Sequence, residues 1–240
     1  MEADKVGDVH PVNQLDSVVF QIRFPSMLSV DRDIASFQEE IRGDYPACSI
    51  VSGVQGIMDI PVARNYSFAS EDGHWSVSLT IASFTLATSR YEGWKDFSTR
   101  ATALVAKISK CFGIEDVTRI GIRYVNAIKP SSLGFPTGDL SRLINPGYLQ
   151  NGAPDEWRVE GFNTVVDYAI DEDVKCRATY GTIQFAGVDR ERGFLLDSDV
   201  YSMNRTSVGD VPAVMDRLNA CSKAAFRSVA TRELQDKVGL

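Results

Sequence analysis

Arg119 and Arg123 stand four residues apart and Asp197 and Asp199 two apart, each pair inside a stretch that alternates apolar and polar residues. Successive side chains of an extended chain point to opposite faces, so each pair shares a face. Arg23 lies opposite the apolar row of another alternating stretch, and Asp167 holds a comparable place in a third. If those strands are neighbours, three guanidiniums and three carboxylates line one sheet surface. The arginines could clamp a phosphate or carboxylate ligand through their forked donors. The two close aspartates could hold Mg²⁺, with waters completing its octahedron. Alternatively, the charges pair with one another on the solvated face of an antiparallel sheet. The ligand-binding candidates are therefore Arg23, Arg119, Arg123, Asp197 and Asp199. No residue is assigned a catalytic or metal-binding role.

Other chemistry lacks its usual companions. A catalytic histidine needs a fixed site and an orienting partner, whereas His10 falls in a polar lead-in and His74 at the tip of an expected hairpin. No GxSxG, P-loop or GxGxxG segment is present. Cys48, Cys111, Cys176 and Cys221 are far apart with no CxxC pair, which argues against a structural zinc site and leaves them as small core residues. Trp75, Trp94, Trp157 and Tyr91 are spaced for core packing rather than as a stacking platform. The net charge of −7 opposes unspecific attraction to nucleic acid or anionic membranes. Of the two arginine-rich stretches, 90–100 has acids interspersed with its cations, and 217–232 is flanked by Asp216 and Glu233. No cofactor is expected, and the balance favours a binding protein over an enzyme.

These residues must be positioned by elements that the hydropathy pattern marks out. Residues 17–24 alternate as a half-buried strand stopped by Pro25. Residues 31–45 change to helical spacing through Ile34, Phe37 and Ile41, and Pro46 closes the helix. Residues 49–60 read as a strand bent at Gly53 and Gly56. A hairpin follows, 65–70 and 75–81 around Asp72-Gly73, then a strand from Phe84 to Tyr91. Trp94 to Phe112 is a helix ended by Gly113, and Val117 to Ile128 is a strand.

Residues 129–155, rich in proline and glycine, form a domain seam or functional loop, with a short helix expected at 139–143. Three more strands are expected at 157–170, 175–185 and 193–203. One long helix then runs from Asp210 to about Lys237, capped by Asp210 with Pro212 in its first turn. At 1.5 Å per residue it would span roughly 40 Å. The fold class is α+β, with mostly antiparallel sheet covered by amphipathic helices. After a flexible lead-in over residues 1–15, residues 16–240 form one unit or two pseudo-repeats, 16–128 and 156–240. Without a hydrophobic leader segment or an apolar run of about 18 residues, a cytoplasmic setting is expected.

Several phrases occur in a distinctive order: Phe20-Gln-Ile-Arg-Phe-Pro25, Trp75-Ser-Val-Ser-Leu79, Thr88-Ser-Arg-Tyr91, Trp94-Lys-Asp-Phe97, Arg119-Ile-Gly-Ile-Arg-Tyr-Val-Asn126 and Leu196-Asp-Ser-Asp-Val-Tyr201, followed by the helix 226–234. Together they resemble a family of sporadically distributed bacterial conserved hypothetical proteins, over most of the chain. That family carries a Leu-His step in its last helix, where this chain has Leu218-Asn219. The resemblance brings no agreed activity. Its patchy distribution implies mobile gene clusters, including toxin–antitoxin and antiviral defence neighbourhoods. It thereby implies an antitoxin, immunity or accessory factor that binds a neighbouring gene product or forms a homo-oligomer. The alternative is a sensor or processing enzyme for a nucleotide or other phosphate ligand, using the Arg/Asp face.

Overall fold

A computed structural model describes residues 15–51, 64–150, 159–187 and 190–239. The elements in chain order are β1 (Leu15–Arg23), α1 (Ser29–Ile41), β2 (Ala47–Val51), β3 (Asn65–Ala69), β4 (Trp75–Thr80), β5 (Ser83–Thr88), α2 (Trp94–Phe112), β6 (Asp116–Val117), β7 (Arg119–Ile128), β8 (Asn163–Ala169), β9 (Val174–Gln184), β10 (Arg192–Ser202), β11 (Thr206–Ser207), α3 (Val211–Val229) and α4 (Arg232–Val238). The fold is α+β. Among the described residues, nine strands form one sheet in the order β2-β3-β4-β5-β1-β7-β10-β9-β8. Each neighbouring pair is antiparallel. Strand β1 thus lies at the centre, between β5 and β7.

Alternation places the apolar row of each central strand on one face. Val18, Phe20 and Ile22 of β1, Phe84 and Leu86 of β5, and Ile120 and Ile122 of β7 are fully buried there. The apolar stripes of α1, α2 and α3 pack against this face, burying Phe37, Phe97, Ala101, Leu104, Ile108, Met215 and Leu218. At about 25 cal/mol per Å² of apolar surface, such burial is the main force holding helices to sheet. Gly113 ends α2 in the left-handed conformation at φ 69°, and Gly73 turns the β3–β4 hairpin at φ 70°, both as expected.

Three expectations change. The segment 139–143 is a turn, closed by Leu143 and Ile144 N–H groups on the Leu140 carbonyl, because Leu140, Leu143 and Ile144 all turn inward. With Leu133 and Phe135 they build a second apolar cluster against Phe194, Leu196, Phe226 and Leu234. The long final helix is two helices. Ala230 leaves the helical region at ψ 133° to bridge Ile144, and Thr231 starts α4 by accepting a hydrogen bond from the Leu234 N–H. At 1.5 Å per residue α3 alone spans roughly 28 Å. Among the cysteines, Cys176 is buried and Cys111 and Cys221 are half-buried, but Cys48 is exposed on β2. Four expectations lie wholly or partly outside the described residues: the lead-in with His10, the bend at Gly53 and Gly56, the seam beyond residue 150, and the strand start at Trp157.

Candidate functional site

All five candidate residues lie on the sheet face opposite the helices, on adjacent strands β1, β7 and β10. Register explains this: Arg23 pairs with Arg119, and Asp199 with Arg123. The side chains come together, but on one another. Arg123 grips Asp197 with two hydrogen bonds, Nε to Oδ1 at 2.7 Å and Nη2 to Oδ2 at 2.5 Å. Arg119 donates through Nη2 to Asp199 at 2.7 Å and through Nη1 to the Gln21 side-chain oxygen at 3.3 Å. Arg23 donates to that same Gln21 oxygen at 3.1 Å. The Arg119 guanidinium also lies over the Tyr201 ring, 4.8 Å from its centroid. Gln21 and Tyr201 are therefore part of the constellation, and composition alone did not mark them.

Arg119 is only 7% exposed although it projects from the open face. It reaches Asp199 by lying across Gly121, where a Cβ would come within 2.5 Å of Nη1. Charge-assisted hydrogen bonds and ring stacking compensate its loss of water. For Arg123, the hydrogen bonds that it donates to Asp197 raise its pKa above the ordinary guanidinium value against the opposing effect of burial. A phosphate approaching Arg119 or Arg123 would have to displace Asp199 or Asp197 from its arginine. Among the described residues no three His, Cys, Asp or Glu side chains gather as a metal site.

Beyond these five, the register reveals a longer arrangement. Arg123 of β7, Asp199 of β10, Arg177 of β9 and Asp167 of β8 stand directly opposite one another in succession. They form a row of alternating charge across four strands. Asp199 has a cation in register on each side. Asp167 has Arg177 on one side only, at 3.7 Å, and its side chain remains 68% exposed. The sequence contained Arg177 in an alternating stretch, but only the pairing register places it between two aspartates.

The row ends at β8, the outermost strand of the sheet among the described residues. At the two ends of the β8–β9 ladder, the Ile170 N–H donates to the Val174 carbonyl at 2.9 Å and the Thr182 N–H to the Phe162 carbonyl at 3.0 Å. In an antiparallel ladder bonded pairs alternate along the strand. The even-numbered residues of β8 therefore face β9, and the backbone groups of Asn163, Val165, Asp167 and Ala169 point outward. Among the described residues no strand pairs with this edge. Val165 is 51% exposed, and Tyr168 and the following Ile170 are 41% and 42% exposed. Helix α3 packs over β7 and β10 and leaves this margin uncovered.

A separate cleft of about 550 Å³ lies between the β3–β4 turn and the start of α2. Its Trp75 floor is covered by Arg100, 4.6 Å from the ring centroid, and Arg100 and Arg90 pair with Asp96 and Asp72. None of the five expected residues lines it. His74 sits beside it, its Nδ1 3.0 Å from the Ser89 hydroxyl. On the helix side of the sheet, Asn219 is buried and accepts a hydrogen bond from the Tyr124 hydroxyl at 2.8 Å. Burial, then neighbouring Tyr91, pushes the Tyr124 phenol above its ordinary range, so it serves as a neutral donor.

No protein-family model matches the chain, and no curated protein matches it in sequence. No helix among the described residues is long and apolar enough to cross a membrane. Among the described residues, the fold and this face define an antiparallel sheet covered by helices on one side, whose charged surface ends at its outermost strand.

Proposed function

We propose that this chain is a non-catalytic interaction protein that receives an extended segment of a partner protein along the outer edge of β8. The observation that carries this reading is the combination of outward backbone donors and acceptors with exposed Val165, Tyr168 and Ile170. Proteins ordinarily blunt a sheet edge with lysines, proline, a bulge or a covering loop, because an uncovered edge recruits other strands. The seven residues of β8 carry one charge, Asp167, and no proline. Strand addition would derive affinity from main-chain hydrogen bonds and selectivity from alternate side chains. The ion-paired face behind the edge supports the reading, since Arg119 and Arg123 are held by Asp199 and Asp197. A neutralising or accessory role in a mobile, defence-linked gene cluster is the setting that the family resemblance supports.

The experiment is a random-peptide display selection on the immobilised full chain. Selected peptides should protect the amides of Val165 and Asp167 from hydrogen exchange and lose binding to Val165→Pro. That substitution removes an N–H that points away from β9, a position where edge strands tolerate proline. Protection mapped to other elements, or full binding by a folded Val165→Pro variant, would overturn the reading.

A further inference from the structure

The charge row says what the partner segment must carry. Along the open face the order from β7 to β8 is Arg123, Asp199, Arg177, Asp167. Opposite charges directly across neighbouring strands attract, and like charges repel. The next strand would continue the alternation with a cation. Asp167 is one of the residues whose backbone points outward, so a docked strand would meet it in a hydrogen-bonded pair. Val165 lies on the same face two residues away, while Val166 and Tyr168 lie on the other face beside Ala178 and Cys176.

Resting on the strand-docking reading, we infer that the β8 edge selects an extended protein segment with a lysine or arginine opposite Asp167 and apolar residues around it. The residue facing Val165 is apolar, and so are the two flanking the cation, which cover Val166 and Tyr168. The pattern in the partner is apolar–cation–apolar–apolar, read in whichever direction the segment runs. A second copy of this chain is the poorer occupant. Residues 163–169 contain no cation, so pairing β8 with itself gives Asp167 no opposite charge in any register.

The selected peptides test this directly. Their sequences should converge on a single Lys or Arg within an apolar run. For one such peptide, the lysine form should bind the full chain on the order of fivefold more tightly than its glutamate form. Asp167→Arg should reverse that preference by a similar factor, and the peptide position that reverses is the one facing residue 167. Peptides that depend on an intact edge, shown by loss with Val165→Pro, yet have no charge preference would overturn the cation rule and leave strand docking standing. A preference unchanged by Asp167→Arg would do the same. A concentration-dependent dimer dissolved by Val165→Pro would put a second copy on the edge and overturn the proposal.

Discussion

The Arg119 guanidinium occupies the space that a side chain at Gly121 would fill, with Nη1 2.5 Å from the position of the missing Cβ. Glycine is generally a weak choice inside a strand, costing about 0.5–1 kcal/mol relative to alanine. Here its absent side chain opens the path by which Arg119 reaches Asp199 and Gln21. Gly121→Ala should therefore displace the guanidinium. Hydrogen bonds to charged groups contribute about 1.5–3 kcal/mol, so after the backbone gain the variant should lose about 1–2 kcal/mol. Urea titration measures this, and a variant more stable than the parent would show that Arg119 is not held by its partners.

The buried pair Tyr124–Asn219 should behave as a unit. Removing the hydroxyl with Tyr124→Phe leaves the Asn219 oxygen buried without its donor, at a cost of about 1–3 kcal/mol. Adding Asn219→Leu replaces both partners with apolar groups and should recover much of the loss. A double-mutant cycle with no coupling would count against the hydrogen bond.

Glu191 supplies a pH dependence. Burial pushes its carboxyl upward, but the Ser131 hydroxyl and N–H, the Gly138 N–H and Lys129 outweigh that effect and hold it below the ordinary range. A depressed folded value means that the contribution to stability is complete above the unfolded pKa, about 4.3. It is lost as the pH falls through the folded value. Glu191→Gln should flatten the acid limb of the stability curve and loosen the loop that begins at Ser131. Denaturant midpoints measured from pH 7 to pH 3 will show whether the two curves converge in acid.

The break between α3 and α4 depends on Thr231, whose hydroxyl donates to the Arg142 carbonyl at 2.6 Å and accepts from the Leu234 N–H at 3.3 Å. Loss of an N-cap costs about 0.5–2 kcal/mol. Thr231→Ala should lower Tm by about 2–6 °C, whereas the exposed neighbour Arg232 should tolerate alanine.

Phosphate, nucleotides and Mg²⁺ provide a check on the Arg/Asp face. A ligand at one hundred times its Kd stabilises by about 2.7 kcal/mol. Because Asp197 and Asp199 already occupy the Arg123 and Arg119 guanidiniums, leaving no pair of free guanidiniums among the three arginines, none of these additions should move Tm. A clear shift abolished by Arg123→Met would instead make this face a ligand clamp.

Local pattern revealed much of the architecture. Trp94–Phe112 follows its apolar stripe and closing glycine, and Arg119–Ile128 divides into the two faces that its alternation requires. It could not show that β1 lies between β5 and β7, since strand order depends on pairing between residues distant in sequence. The helix break was hidden because Phe226, Val229 and Leu234 continue the apolar spacing across Ala230. For the site, alternation placed the arginines and aspartates on faces. Register then brought in Arg177, and a single row of pairs gave Asp167 its exposed outer side.

The central position of β1 also bears on synthesis. The strand leaves the ribosome well before its two sheet neighbours, Ser83–Thr88 and Arg119–Ile128. Until both have emerged, Val18, Phe20 and Ile22 form an apolar row with at least one flank unpaired. Nascent segments of this kind are prone to aggregate and are natural clients for chaperones. Translation halted between those two strands would leave the future centre of the sheet as its most vulnerable edge.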